Sequence, residues 1–178
     1  MKEMLKYGFI LGLICFLASA VLSVVNAVTE PQIKLQKETE ENLALKEVMP
    51  EALNFKPKFE GEKVIYYTAY NNVGEINGFI VKAEGKGYSF VIEAMAGLNP
   101  KLEITNVKIL SQNETPGLGN RIMKDSFLSQ FKGKGLDSFN QVQAITGATI
   151  SSRAVINSIG NKISELKNQL LEELQHGR

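Results

Sequence analysis

Hydrophobic and polar positions divide this chain into three regimes. From Tyr7 to Val28 the residues are apolar or small, with no charge among them, while Lys2 and Lys6 precede the run and Glu30 follows it. These 22 residues would extend about 33 Å as a helix, close to the hydrocarbon thickness of a bilayer. From Pro31 to Leu53 the apolar positions thin to Ile33, Leu43, Val48 and Leu53 among many charges, which predicts a helical linker that Pro50 breaks or ends. Beyond it the period shortens. Val64 to Tyr70 is rich in β-branched and aromatic residues, and Tyr88, Phe90, Ile92 and Ala94 alternate. Both patterns predict strands.

Strands are also predicted at 78–83 and 102–110, with turns at 71–74, 85–87 and 97–101. Short connections between consecutive strands imply an antiparallel meander. A loop then runs from Ser111 to Gly119, and Ile122, Met123, Phe127, Leu128 and Phe131 fit one face of a short helix. After a loop containing Gly133 and Gly135, a last short strand is expected at 142–145. A long helix starts at Ser151 or Ser152 and ends near Leu174, with the stripe Val155, Ile159, Ile163, Leu166, Leu170 and Leu174. The fold class is therefore α+β: an antiparallel sheet with packed helices, preceded by a single N-terminal transmembrane helix and a helical linker. The expected organisation is an N-terminal tail at 1–6, an anchor at 7–28, the linker at 29–56 and the domain at 57–178.

A secretory signal peptide is the competing reading of the first segment, because Ala18-Ser19-Ala20 resembles a cleavage site. The apolar run continues eight residues past Ala20, longer than a signal peptide needs, so a retained anchor is favoured. Lys2 and Lys6 favour a cytoplasmic N-terminus, although Lys34 and Lys37 nearly balance them. Gly8, Gly12, Cys15, Ser19, Ser23 and Asn26 form a stripe of small residues. It fits either close packing on another helix or the ordinary composition of such spans.

Composition excludes several kinds of chemistry. The formal net charge of +1 gives no basis for nucleic-acid binding. The one cysteine, Cys15, lies in the anchor, and the one histidine, His176, lies near the C-terminus. A zinc, iron–sulfur or haem site, or a Ser–His or Cys–His nucleophile, cannot be assembled from them. No metal ligand and no catalytic side chain is predicted. Redox work would need an organic cofactor.

Two loops remain as candidate chemistry. Glu114-Thr115-Pro116-Gly117-Leu118-Gly119 has a proline and two glycines that let the backbone lie close to a ligand, or simply connect a strand to a helix. Thr146-Gly147-Ala148-Thr149-Ile150-Ser151-Ser152 places small and hydroxyl residues just before a long helix. Its first N–H groups lack intrahelical partners and favour an anion, while Ser151 and Ser152 also suit plain capping.

Together these loops resemble the FMN-binding domain family, in particular the branch formed by the G subunits of Rnf complexes, with the C subunit of the sodium-pumping NADH:quinone reductase as a relative. The resemblance extends to the N-terminal span, to Met49-Pro50-Glu51-Ala52 and to Gly87-Tyr88. It implies FMN attached through a phosphoester to Thr149, with Thr146, Gly147 and Ala148 completing the attachment motif and Ser151 placed to contact the phosphate. It implies that Glu114, Thr115, Gly117, Leu118 and Gly119 line the flavin. One position departs from the pattern: Gln143 stands where the motif usually begins with aspartate. The implied partners are the other membrane and redox subunits of such a complex and a flavin transferase. The implied role is an electron carrier, facing outward from the cell membrane, in a ferredoxin:NAD oxidoreductase that translocates sodium or protons. A tethered module holding a flavin or phospholigand non-covalently, or serving assembly, is the alternative. A stand-alone extracellular flavoprotein is a third.

Overall fold

The computed structural model describes residues 2–61 and 63–176. Position 1 of the expected tail and positions 62, 177 and 178 of the expected domain lie outside the described residues. The chain divides into two units, one up to residue 40 and one from Glu41 onward.

The first unit is helical. Helix α1 (Lys2–Val48) continues through Pro31, where the charge pattern predicts a separate linker, and stops just before Pro50. Among the described residues it is the one helix long and apolar enough to cross a membrane, by length and composition. Its large apolar side chains up to Leu35 are exposed, as lipid-facing side chains would be.

The second unit is built on a sheet of five antiparallel strands in the order β1 to β5. These are β1 (Asn54–Glu60), β2 (Lys63–Tyr70), β3 (Ile76–Lys86), β4 (Val91–Leu98) and β5 (Ile104–Ser111). The α+β meander is as expected. Successive side chains alternate between the two faces. Tyr66, Phe79, Val81, Ala83, Ile92, Ala94 and Ala96 point to one face and pack against Val155, Ile159, Ile163, Leu166 and Leu170 of α3 (Thr149–His176). Phe127 of α2 (Asp125–Leu128), Phe131 and Phe139 extend this core, with ring centroids 5.4 and 6.2 Å apart along the row.

Tyr67, Ala69, Ile80 and Met95 point the other way, onto Ala44, Leu45, Val48, Met49 and Ala52. The residues from 41 to 52 are thus part of the core rather than a linker to it. Their anchoring is polar as well. Glu41 accepts the Tyr67 hydroxyl and pairs with Lys82. Glu47 pairs with Lys108, and its carbonyl accepts from Asn106 Nδ2 at 3.2 Å. Burial first, and then the Glu41 carboxylate, raise the Tyr67 phenol well above its ordinary value, so it remains a donor. On the opposite face Glu173 of α3 accepts from Tyr66 and, at 2.5 Å, from Thr68.

Several local expectations differ from the structure. The strand predicted to begin at Tyr88 begins at Val91, with Tyr88 and Phe90 exposed before it. The single short helix expected around Ile122 to Phe131 is broken into the 3₁₀ turn Gly119–Met123, α2 and the 3₁₀ turn Ser129–Phe131, and the long helix starts at Thr149, ahead of Ser151. The segment 54–60 forms strand β1, although it carries Pro57 and two lysines and is almost wholly exposed. Proline and lysine are what an edge strand tolerates, and they hide its signature. The turn expected at 85–87 moves to 87–90, because Lys86 still pairs with Val91 and Gly87 N–H bonds the Phe90 carbonyl at 2.8 Å. Gly85 is required elsewhere: a Cβ there would stand 2.5 Å from the Ala154 carbonyl oxygen of α3. Residues 142–145 are not a strand. The Gln143 and Ile145 N–H groups donate to the side chains of Gln130 (2.9 Å) and Ser152 (3.1 Å) instead of a ladder.

Candidate functional site

Two tight turns face each other beside the start of α3. In the first, Leu118 N–H bonds the Thr115 carbonyl at 3.2 Å, with Pro116 and Gly117 at the corners and Gly117 at φ +78°. A fixed negative φ followed by a positive one is a type II turn, and the Pro-Gly pair is what that turn demands. Asn120 Oδ1 accepts the Gly117 N–H at 2.8 Å and braces it. In the second, Ala148 N–H bonds the Ile145 carbonyl at 2.9 Å across Thr146 and Gly147, the latter at φ +81°. This too has the form of type II. The ideal Cβ position at Gly147 lies 3.9 Å from Leu118 Cδ2, so the two turns touch.

Between them opens a cleft of about 500 Å³, lined by Tyr88, Glu114, Thr115, Leu118, Gly119, Gly147, Ala148, Thr149, Ile150 and Ser151. That size is within the ordinary range for a small-molecule or cofactor site. Eight of the ten residues predicted from sequence line it. Thr146 and Gly117 do not: they shape the turns from outside the lining. Tyr88 and Ile150 line it and are not among the predicted site residues, although Gly87-Tyr88 carries part of the resemblance and Ile150 stands inside the motif. Both are exposed and apolar at the mouth, as is Leu118.

Glu114 closes the back of the cleft. Only 6% of it is exposed, yet its carboxylate accepts four hydrogen bonds. They come from the N–H groups of Tyr88 (3.2 Å), Ser89 (3.0 Å) and Phe90 (3.3 Å), and from Ser151 Oγ (2.5 Å). Burial alone would raise its pKa. The Ser151 hydroxyl and the three backbone donors outweigh burial and hold the carboxyl below its ordinary value. Glu114 thus ties the β3–β4 turn, the Pro-Gly loop and the N-terminus of α3 into one wall. Two glycines make room for it. A Cβ at Gly119 would lie 2.7 Å from Glu114 Cβ and Oε2, and one at Gly87 would lie 2.5 Å from Oε1.

Thr149 is the first residue of α3 and is exposed in the cleft. The N–H groups of its turn precede the first intrahelical acceptor, so they and the helix dipole favour an anion at this end. Ser152 N–H already bonds the Ala148 carbonyl at 2.9 Å, and Ser152 Oγ bonds the same oxygen at 2.8 Å, fixing where the helix begins.

Residues 87–164, which include every residue lining this cleft, match the FMN-binding domain family, and residues 1–48 match the RnfG N-terminal region. The G subunit of the ion-translocating oxidoreductase complex of Methanosarcina acetivorans is 30% identical, over 94% of this chain and 97% of its own length. This chain belongs to the RnfG family. The G subunit of the proton-translocating ferredoxin:NAD(+) oxidoreductase complex of Clostridium ljungdahlii is 32% identical over 88% of each chain. Its counterpart in the Na(+)-translocating complex of Acetobacterium woodii is 30% identical over 94% of this chain and 93% of its own.

Among solved structures, Shewanella oneidensis NqrC superimposes with a TM-score of 0.52 at 22% identity, over 69% of this chain and 73% of that one. The C subunit of the Na(+)-translocating NADH-quinone reductase of Parabacteroides distasonis gives 0.50 at 25%, over 59% and 61%. The FMN-binding match spans Tyr88, both turns and the start of α3. The RnfG N-terminal match ends at Val48, the last residue of α1.

The residues present suit FMN. The walls contributed by Leu118, Ile150, Ala148 and Tyr88 are apolar enough for a flat ring system. Gly147, exposed and with nothing nearer to its missing Cβ than Leu118 at 3.9 Å, lets backbone approach it closely. A hydroxyl and helix-terminal N–H groups stand where a phosphate is stabilised.

Proposed function

We propose that this protein is the membrane-anchored flavoprotein subunit of an Rnf-type ion-translocating ferredoxin:NAD oxidoreductase complex, and that it carries FMN as a phosphoester on Thr149. The observation that carries this reading is the position of Thr149. It is an exposed hydroxyl on the first residue of a 28-residue helix, inside the cleft and opposite the Pro-Gly turn. The names of the M. acetivorans, C. ljungdahlii and A. woodii relatives support the assignment to a multi-subunit, ion-translocating complex.

Bound FMN supplies reversible electron transfer at its isoalloxazine ring. The chain's own residues hold and shield it. The Thr149 oxygen is the attachment point, and the N–H groups of the first α3 turn stabilise the phosphate charge. Leu118, Ile150 and Tyr88 exclude water from the ring, and Glu114 keeps the wall rigid. Electron transfer needs no general acid or base, so a cleft lined without histidine or cysteine is compatible with the role. The subunit passes electrons between neighbouring redox subunits and completes no reaction alone.

In this reading residues 7–28 span the membrane, residues 1–6 are a cytoplasmic tail and the domain faces the extracytoplasmic side. A flavin transferase loads Thr149. The test is coexpression with such a transferase, followed by denaturing electrophoresis viewed under ultraviolet light. The wild-type band should fluoresce and the Thr149→Val band should be dark, with the variant's melting temperature within about 2 °C of wild type, as a near-isosteric surface change allows. A dark wild-type band would leave a tethered, non-covalent module.

A further inference from the structure

The segments that carry the two turns are joined by two bridges, one through a carboxylate and one through a guanidinium. One is the buried Glu114–Ser151 pair at the back of the cleft. The other lies outside the cleft lining. Arg121, on the 3₁₀ turn Gly119–Met123 that follows the Pro-Gly loop, donates from Nη1 to the Thr146 carbonyl at 3.0 Å.

That carbonyl occupies a decisive place. In a turn closed between Ile145 and Ala148, the peptide joining Thr146 to Gly147 is the central one. Types I and II differ by a flip of this unit, which sends the following residue to φ near −90° or near +80°. Gly147 stands at φ +81°. The Thr146 oxygen and the Gly147 N–H belong to one planar trans unit and point in opposite directions. Holding the oxygen on one side therefore fixes the N–H on the other. Glycine permits the flipped state, but it also permits the unflipped one, so its presence alone does not choose.

We propose that Arg121 is the positioning residue that locks this turn in its type II form, and so sets the direction of the Gly147 N–H and the presentation of Thr149. The inference rests on the proposed attachment of FMN at Thr149 for its consequence, though not for the lock itself. Arg121 touches the carbonyl and not the cofactor. Sequence alone does not single it out, because an arginine in a polar loop carries no pattern.

Two variants test the lock. In flavin-free protein carrying Thr149→Val, Arg121→Met should broaden or double the backbone amide resonances of Thr146, Gly147 and Ala148 while those of β3 and β4 stay unchanged. Arg121→Lys should restore most of the wild-type pattern, because the ammonium can also donate to the carbonyl. With Thr149 present and transferase limiting, the flavin-bearing fraction measured by intact mass should fall several-fold in Arg121→Met and less in Arg121→Lys. Unchanged loop resonances in Arg121→Met would overturn the proposal. So would a general loss of thermal stability that Arg121→Lys does not rescue, since Arg121 would then serve only the fold. If the wild type takes no flavin while the loop resonances respond as described, the lock stands and the attachment reading fails.

Discussion

Gly119→Val should lower the melting temperature by about 10–15 °C and reduce the fraction of protein that acquires flavin. The reason is steric. A Cβ at this position stands 2.7 Å from Glu114 Cβ and Oε2 and 3.0 Å from Ser151 Oγ, and valine adds two further methyl groups. Glu114 cannot yield without losing bonds to three backbone N–H groups and a serine. Overpacking costs about 1–3 kcal/mol and each orphaned buried donor about 1–3 more, which gives a loss of roughly 4 kcal/mol. In a domain of this size that corresponds to the stated shift.

Gly117→Val is the informative comparison. A Cβ there meets nothing within 4 Å, so its penalty comes chiefly from the positive φ of +78°. That costs about 1–2 kcal/mol and a correspondingly smaller shift. Thermal melts of the two variants, with flavin fluorescence followed in the same samples, check the order. Equal losses would mean that crowding around Glu114 is not what Gly119 prevents.

The second large effect is at Glu114. Replacement by alanine leaves four donors without their acceptor; Tyr88, Ser89 and Phe90 are exposed residues whose N–H groups water can take up in part, so the expected loss is about 3 kcal/mol rather than the full sum. Glutamine keeps an acceptor oxygen but lacks the charge, and should cost about 1–2 kcal/mol at neutral pH. The pH dependence separates charge from shape. The folded carboxyl titrates below the ordinary glutamate value of 4.5. Its contribution is therefore complete above that value and is lost as pH falls through the lower folded value. The stability gap between wild type and Glu114→Gln should be constant from neutral pH down to about 5 and should close in more acid solution. Urea melts at a series of pH values measure it. A gap that widens on acidification would show that the native site prefers the protonated acid.

The periodic parts of this fold are legible in its sequence. The stripe on α3 follows from one buried face, so pattern and structure agree there; in the run 88–94 only Ile92 and Ala94 belong to β4 and its buried face, while Tyr88 and Phe90 stand exposed in the turn before it. Edge strand β1 is not legible, because Pro57, Lys56 and Lys58 protect an open edge and erase the alternation. The role of residues 41–52 is hidden for a related reason. Only a narrow stripe, Ala44, Leu45, Val48, Met49 and Ala52, is buried, and the charges Glu41 and Glu47 that look like linker residues are paired with Lys82 and Lys108 on the sheet.

In the site, turn chemistry is readable from Pro116, Gly117 and Gly147, because few residues reach a positive φ. The use of Glu114 as a buried brace is not readable. It depends on the β3–β4 turn arriving from twenty-odd residues away, and only the folded sheet brings that turn to the carboxylate.

The proposed covalent attachment of the flavin rests on one side-chain oxygen, that of Thr149. Protein purified from its native membrane, digested and analysed by tandem mass spectrometry, tests it most directly. The peptide containing Thr149 should carry the mass of FMN less one water, with fragment ions assigning the addition to Thr149 itself. The same peptide recovered wholly unmodified, from protein that still copurifies with its complex, would contradict the account.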